Sequence, residues 1–359
     1  RGKLVMEDGM KEWVAELNLK AGCEAISLSA FRNASSFFKA GISLLCSNCW
    51  DKNYDLTLQL HNFYAEVEFC NGYFGEVDRV TKIIIEKAKS ISDKTRAYFI
   101  LIKTLGTQRN MNTAIKVSLA ALDELGEPIQ QSGIRSLLNR FHIFAKMNLL
   151  RTIHVFAKME DSQFLALKEM DVDMKRAAMK LLLVFARFGI TSIYTPFVLN
   201  RMLELTLMYG VCKESCAALA IISFIICGIN GDWNSSSRIG EIALLLLERL
   251  QANEYACFVI TMVNFAKSWT EPLRLTMKQL FFAYEIGMQT GAIHDAMISA
   301  GGYCYDSLLC GIDLLTLEKD VRRFRAQMSE YKQITALDQL TPLSQTVLNL
   351  IGQSENPVE

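Results

Sequence analysis

The stretch GCEAISLSAFRNASSFFKAG, residues 22–41, decides how the rest of the chain is read. Its small residues fall where two antiparallel helices would have to touch. Gly22 sits late in a first apolar helical segment, and a second follows in which Ala34, Phe38 and Gly41 repeat at intervals of four and three. That spacing puts all three on one helical face. A small residue at each crossing lets the backbones approach closely, and the aromatic between them fills the remaining space.

Working outward, the same arrangement returns. A second pair is expected with helices at 54–70 and 74–90, Ala65 in the first, Gly72 at the turn and Val77 in the second. A third has helices at 94–108 and 111–125, with Ala114 opening the second helix, Ala121 at the crossing and Gly126 as its C-terminal stop. A small residue in one helix, a turn, then an alanine and an aromatic in the next is the pattern of tetratricopeptide hairpins. Ala34, Val77 and Ala114 are 43 and 37 positions apart, so the repeats are irregular. The segment GEPIQQSG, 126–133, concentrates breakers and is expected to join the N-terminal repeats, 1–126, to a C-terminal helical-repeat region, 134–335. Helices are expected there at 171–187, 197–210, 213–228, 235–251, 253–268, 272–290, 292–310 and 314–331. A final helix and polar tail take up 336–359. An echo, HIFAKM at 142 and HVFAKM at 154, has an offset that turns a helix about 120° beyond three full turns, so the copies face differently and read as coincidence. The expected fold class is all-α, a right-handed superhelical α-solenoid of irregular tetratricopeptide-like hairpins.

Composition agrees. Of 359 residues only 20 are glycine and 5 proline, which argues against turn-rich β designs. The 38 basic and 38 acidic side chains cancel, and there is no Lys/Arg-rich stripe of the kind that holds nucleic acid or anionic lipid. The longest apolar stretch, 216–229, is short of the roughly 20 residues a membrane span needs and reads as a buried core helix. The N-terminal residues lack the features of a secretory signal. The chain starts at Arg1 rather than Met, so it is expected to be an excised or processed piece of something longer.

Chemistry-bearing motifs are sparse. The ten cysteines lie in apolar helical contexts and read as small buried hydrophobes in a reducing compartment. Cys46 and Cys49 form a lone C-x-x-C whose only nearby third ligand is His61, so a helix-end turn is the simpler reading than metal or redox work. Nucleotide loops, H-E-x-x-H and G-x-S-x-G are missing from the sequence. His61, His142, His154 and His294 have no spacing that gathers them on one face. Asn33-Ala-Ser and Asn234-Ser-Ser match the glycosylation tripeptide, which has no consequence without secretion.

Several blocks carry a wider resemblance. They are Glu169-Met170 followed by KRAAMK at 175–180, Arg201-Met202 with LMYG at 207–210, CGINGD at 227–232 with EIALLLLER at 241–249, WTEPL at 269–273, YEIGMQTG at 284–291, and Tyr303-Cys304-Tyr305. With them, 161–324 resembles the long helical region of large multidomain AAA- or STAND-type predicted ATPases fused to histidine kinases, and the N-terminal part is similar to the same region. The resemblance implies a tetratricopeptide-like segment beside a nucleotide-binding switch and kinase modules. These 359 residues carry no P-loop and no kinase motif, so no hydrolysis, phosphotransfer or cofactor is expected of them. A sensor or scaffold segment is implied, whose concave groove receives a ligand, a partner protein or a neighbouring domain.

Register proposes groove residues. If Ala65 and Ile102 hold the small-residue positions, the concave face includes Gln59, Asn62 and Glu66 of one repeat and Arg96, Phe99 and Lys103 of the next. Charged and amide groups beside an aromatic suit peptide capture, and they equally suit a solvated helix face. A second patch comprises Trp269, Pro272, Tyr303 and Tyr305, fitting either an interface or the packing of two long hairpins. Two functions from different classes follow beside an unsupported helical enzyme. One is a protein-interaction or sensing scaffold in a signalling ATPase or kinase, cytoplasmic. The other is a stand-alone repeat adaptor or assembly factor, possible in an organelle after removal of a targeting peptide. Neither requires nucleic acid, a metal or a membrane span.

Overall fold

In a computed structural model the described residues are 8–129, 150, 153–154, 158–188 and 194–354, and they are all-helical. Seventeen helices are present among them, with no strand. Arg1, His142, the stretch beyond 129 of the expected joint, most of the echo and the end of the polar tail lie outside the described residues. The chain divides into two compact units, Arg1–Thr104 and Leu105–Glu359.

The first unit contains α1 (Asp8–Ser27), α2 (Phe31–Leu44), α3 (Cys49–Lys52), α4 (Tyr54–Cys70), α5 (Phe74–Lys87) and the greater part of α6 (Ile91–Thr107). Close packing of α1 on α2 follows from Gly22: a β-carbon there would sit 2.3 Å from the Phe38 ring. Ala34, Phe38, Ala65 and Val77, the crossing residues read from the repeat spacing, are all buried. Phe38 stacks on Phe63 of α4 at 5.6 Å, which carries the packing from one hairpin to the next.

The second unit begins with the last residues of α6 and runs through α7 (Met111–Glu124), α8 (Asp161–Leu165), α9 (Asp173–Phe188), α10 (Thr195–Tyr209) and α11 (Lys213–Asn230). It continues with α12 (Trp233–Arg249), α13 (Asn253–Lys267), α14 (Leu273–Thr290), α15 (Ile293–Leu309), α16 (Leu314–Glu330) and α17 (Ile334–Leu350). Each of α9–α17 packs on the next. In addition α9 touches α11, α11 touches α13, α13 touches α15 and α15 touches α17. This alternation stacks one set of helices side by side.

The 216–229 apolar stretch forms α11, whose residues from Cys216 to Ile222 are buried. Leu219, Ile221 and Ile222 each contribute about 1.5–3 kcal/mol on leaving water. No helix among the described residues is long and apolar enough to cross a membrane.

Most hairpins turn through one backbone device. Ser29, Gly72, Arg109, Gln251, Gly311 and Lys332 have positive φ, and the amide after each donates to the carbonyl five residues back, as Tyr73 does to Glu68 and Gln333 to Met328. This closes the helix end and reverses the chain in two or three residues. Elsewhere Glu127, just after α7, accepts from Lys175 of α9 and Arg201 of α10 at 2.5 and 2.9 Å. Burial alone would raise its carboxyl, but these two cations outweigh burial and hold it below the ordinary range. Thr195 and Pro196 start α10, with proline in the first turn where its missing N–H costs nothing.

Candidate functional site

Spacing on α15 shapes a concavity of the second unit. Asp295, Ile298, Gly302 and Asp306 recur along one face of this helix, and they line a cleft of about 880 Å³ together with residues of α9, α11, α13 and α17. Phe224, Phe258, Met262 and Phe265 supply an apolar and aromatic wall. Two glycines shape the floor differently. At Gly302 the Phe265 ring presses against the backbone, 2.4 Å from where a β-carbon would lie, whereas at Gly301 the space is open.

One end of the cleft is ionic. Arg187, at the C-terminal end of α9, donates through Nη2 to Asp295 Oδ1, and the side chains are only 5% and 7% exposed. The guanidinium lies 4.3 Å from the Phe258 ring centre. Its Nε is buried and has no hydrogen-bond partner, which leaves an N–H donor unmatched inside the protein and costs about 1–3 kcal/mol until it finds an acceptor. Next to it His294 packs on Phe188 at 5.2 Å, with its Nδ1 3.1 Å from Gln333 Oε1.

At the other end Asp306 is 7% exposed and accepts from Thr276 Oγ1 at 2.8 Å. Burial pushes its carboxyl up, opposed by hydrogen bonds from Thr276 and Ser268. Among the described residues no cation pairs with it. Trp269, 73% exposed, and Tyr305, whose hydroxyl donates to the Gln339 carbonyl at 2.9 Å, line this end.

The second patch read from sequence therefore divides. Trp269 and Tyr305 line the cleft, while Pro272 precedes α14 as its N-cap. Tyr303 turns away, into an aromatic cluster with Phe281 and Phe324 at 5.2 and 6.1 Å, and donates to Asp320 at 3.0 Å. The six residues proposed from register all belong to the first unit. Glu66 and Arg96 meet in a two-pronged ion pair at 2.5 and 2.6 Å, and the Arg96 guanidinium lies 4.1 Å from the Phe63 ring centre. Lys103 sits over Phe69 at 4.5 Å, and Phe99 packs against the unit's core. Asn62 is buried, with an Oδ1 that accepts no hydrogen bond. Gln59 is exposed and lines a separate polar hollow with Glu12, Lys20 and Tyr54.

Sequence reasoning singled out Trp269 and Tyr305 but not Arg187, Asp295 or Asp306. The signal was present: Asp295 and Asp306 are eleven positions apart, close to three full turns, so they share a face. Arg187 joins them only through tertiary packing. Among the described residues no three His, Cys, Asp or Glu side chains converge as a metal site, and none of the ten cysteines forms a disulfide. His61 packs on Trp50 at 5.1 Å and has its Nδ1 on the Thr57 carbonyl. Burial pushes the Cys212, Cys216 and Cys304 thiols up to about 12, the opposite of what a nucleophile needs.

No protein-family model matches this chain, and no curated protein matches it in sequence.

Proposed function

We propose that the chain is a non-catalytic interaction and sensing scaffold, a right-handed superhelical stack of tetratricopeptide-like hairpins that takes up a ligand, a partner protein or a neighbouring domain on its concave helices. In this reading it is the sensing segment of a larger cytoplasmic signalling ATPase or kinase. The observation that carries the reading is the 880 Å³ cleft of the second unit. Its volume lies within the roughly 300–1,000 Å³ of small-ligand sites, and its walls are apolar with a few polar groups at defined points, as such sites require. The side-by-side packing of α9, α11, α13, α15 and α17 supports the solenoid part of the reading.

The test is titration with Nile red, an apolar dye that fluoresces on leaving water. Wild-type protein should bind it saturably and at one site per chain. Gly301→Phe, at a cleft position where a β-carbon meets nothing within 4 Å, should abolish that binding and leave the helical melt unchanged. Saturable binding that survives Gly301→Phe, or no saturable binding at all, overturns the assignment of function to this cleft.

A further inference from the structure

The proposed cleft has a polarity that constrains its occupant, and the following rests on the reading of it as a binding site. Its two polar ends are Asp295 and Asp306, eleven residues apart on one face of α15, which places them about 16 Å apart at 1.5 Å per residue. Between them the wall is Phe224, Phe258, Met262, Phe265 and Met297. The occupant's body must therefore be apolar and elongated.

The charges at the ends are unequal. Arg187, the cleft's buried arginine, is already neutralised by Asp295, so it offers an incoming anion little. What it retains is a neutral requirement, the unpartnered Nε–H, which calls for a hydrogen-bond acceptor. At the far end the Asp306 carboxylate, 7% exposed, has hydroxyl partners in Thr276 and Ser268 and, among the described residues, no cation. Trp269 and Tyr305 stand at the same end. A buried carboxylate in a cleft that aromatic rings also line favours an ammonium group, which can gain ion pairing and ring-face attraction together.

We infer that the cleft binds a lipophilic amine, an elongated apolar molecule whose ammonium pairs with Asp306 between Trp269 and Tyr305. An oxygen acceptor at its opposite end, where present, meets Arg187 Nε. A carboxylate of the same length is rejected, because its charge meets Asp306 at one end and the Asp295-neutralised arginine at the other. An amphipathic peptide helix is the competing occupant, and the buried, cation-free Asp306 favours the amine over it.

Three probes with one tail length separate these possibilities: dodecylamine, dodecanol and dodecanoic acid, each titrated against bound Nile red below its micelle-forming concentration. Dodecylamine should displace the dye most effectively, roughly tenfold or more ahead of dodecanoic acid. Asp306→Asn keeps an acceptor for Thr276 and should weaken dodecylamine about tenfold while leaving dodecanol within about twofold. Trp269→Ala, at a position 73% exposed whose ring packs on Trp233 at 6.1 Å, should weaken the amine and leave dodecanol within about twofold. Dye binding that Gly301→Phe blocks, with no preference for the amine or no effect of Asp306→Asn, overturns this inference and leaves the binding site standing. Failure of the dye to bind saturably overturns both.

Discussion

At Gly302 a β-carbon would meet the Phe265 ring at 2.4 Å, while at Gly301 it would meet nothing within 4 Å. Gly302→Ala should therefore lower stability by about 1–2 kcal/mol through overpacking. Gly301→Ala should raise it by up to about 1 kcal/mol, since alanine suits a helix interior better than glycine. Urea denaturation of the two single variants checks both signs. A second residue-scale effect belongs to His61, buried in the first unit and pushed below its ordinary value of 6.5 by burial. The unfolded chain takes up this proton more readily than the folded one. Stability from His61 is thus complete above pH 6.5 and is lost as pH falls through the lower folded value. Urea midpoints at pH 7.5 and pH 5 should fall more for wild type than for His61→Gln. Residue identities in the first hairpin were legible from sequence because Gly22, Ala34, Phe38 and Gly41 obey a local spacing rule, and their burial follows it. Arg187 was not legible, because nothing local marks an arginine whose partner lies 108 positions away.

Elements were easier to read than the sites between them. The expected helices at 213–228, 253–268, 272–290 and 314–331 meet α11, α13, α14 and α16 to within a few residues, because apolar periodicity and capping residues act within one turn. The reversals were less legible at Arg109, Gln251 and Lys332, where ordinary side chains adopt the left-handed turn that glycine takes at Gly72 and Gly311. That conformation costs a residue with a β-carbon about 1–2 kcal/mol, which the backbone hydrogen bonds closing the helix end offset. The ion pair joining α9 to α15 makes the main element-scale prediction. Asp295→Asn should destabilise the second unit by about 3–5 kcal/mol, because it leaves Arg187 charged and buried. The joint replacement Arg187→Met with Asp295→Leu should recover most of that loss. Denaturant midpoints for the two singles and the double decide it, and a double variant no better than Asp295→Asn would contradict the account.

For the whole molecule, the all-helical class followed from low glycine and proline together with helical periodicity throughout. The division between Thr104 and Leu105 falls inside α6, where composition leaves no mark, since compactness depends on contacts rather than on breakers. Placement of the chain in a signalling protein is a statement about its parent. The coding sequence on either side should contain a P-loop ATPase and a kinase module, and a transcript that lacks both would contradict that placement. The central claim, that the cleft of the second unit is where this scaffold receives its ligand, is tested most directly by hydrogen–deuterium exchange with and without saturating Nile red. The account predicts slowed exchange in α13, α15 and α17 and unchanged exchange in residues 8–87. Protection confined to the first unit, or spread evenly over the chain, would contradict it.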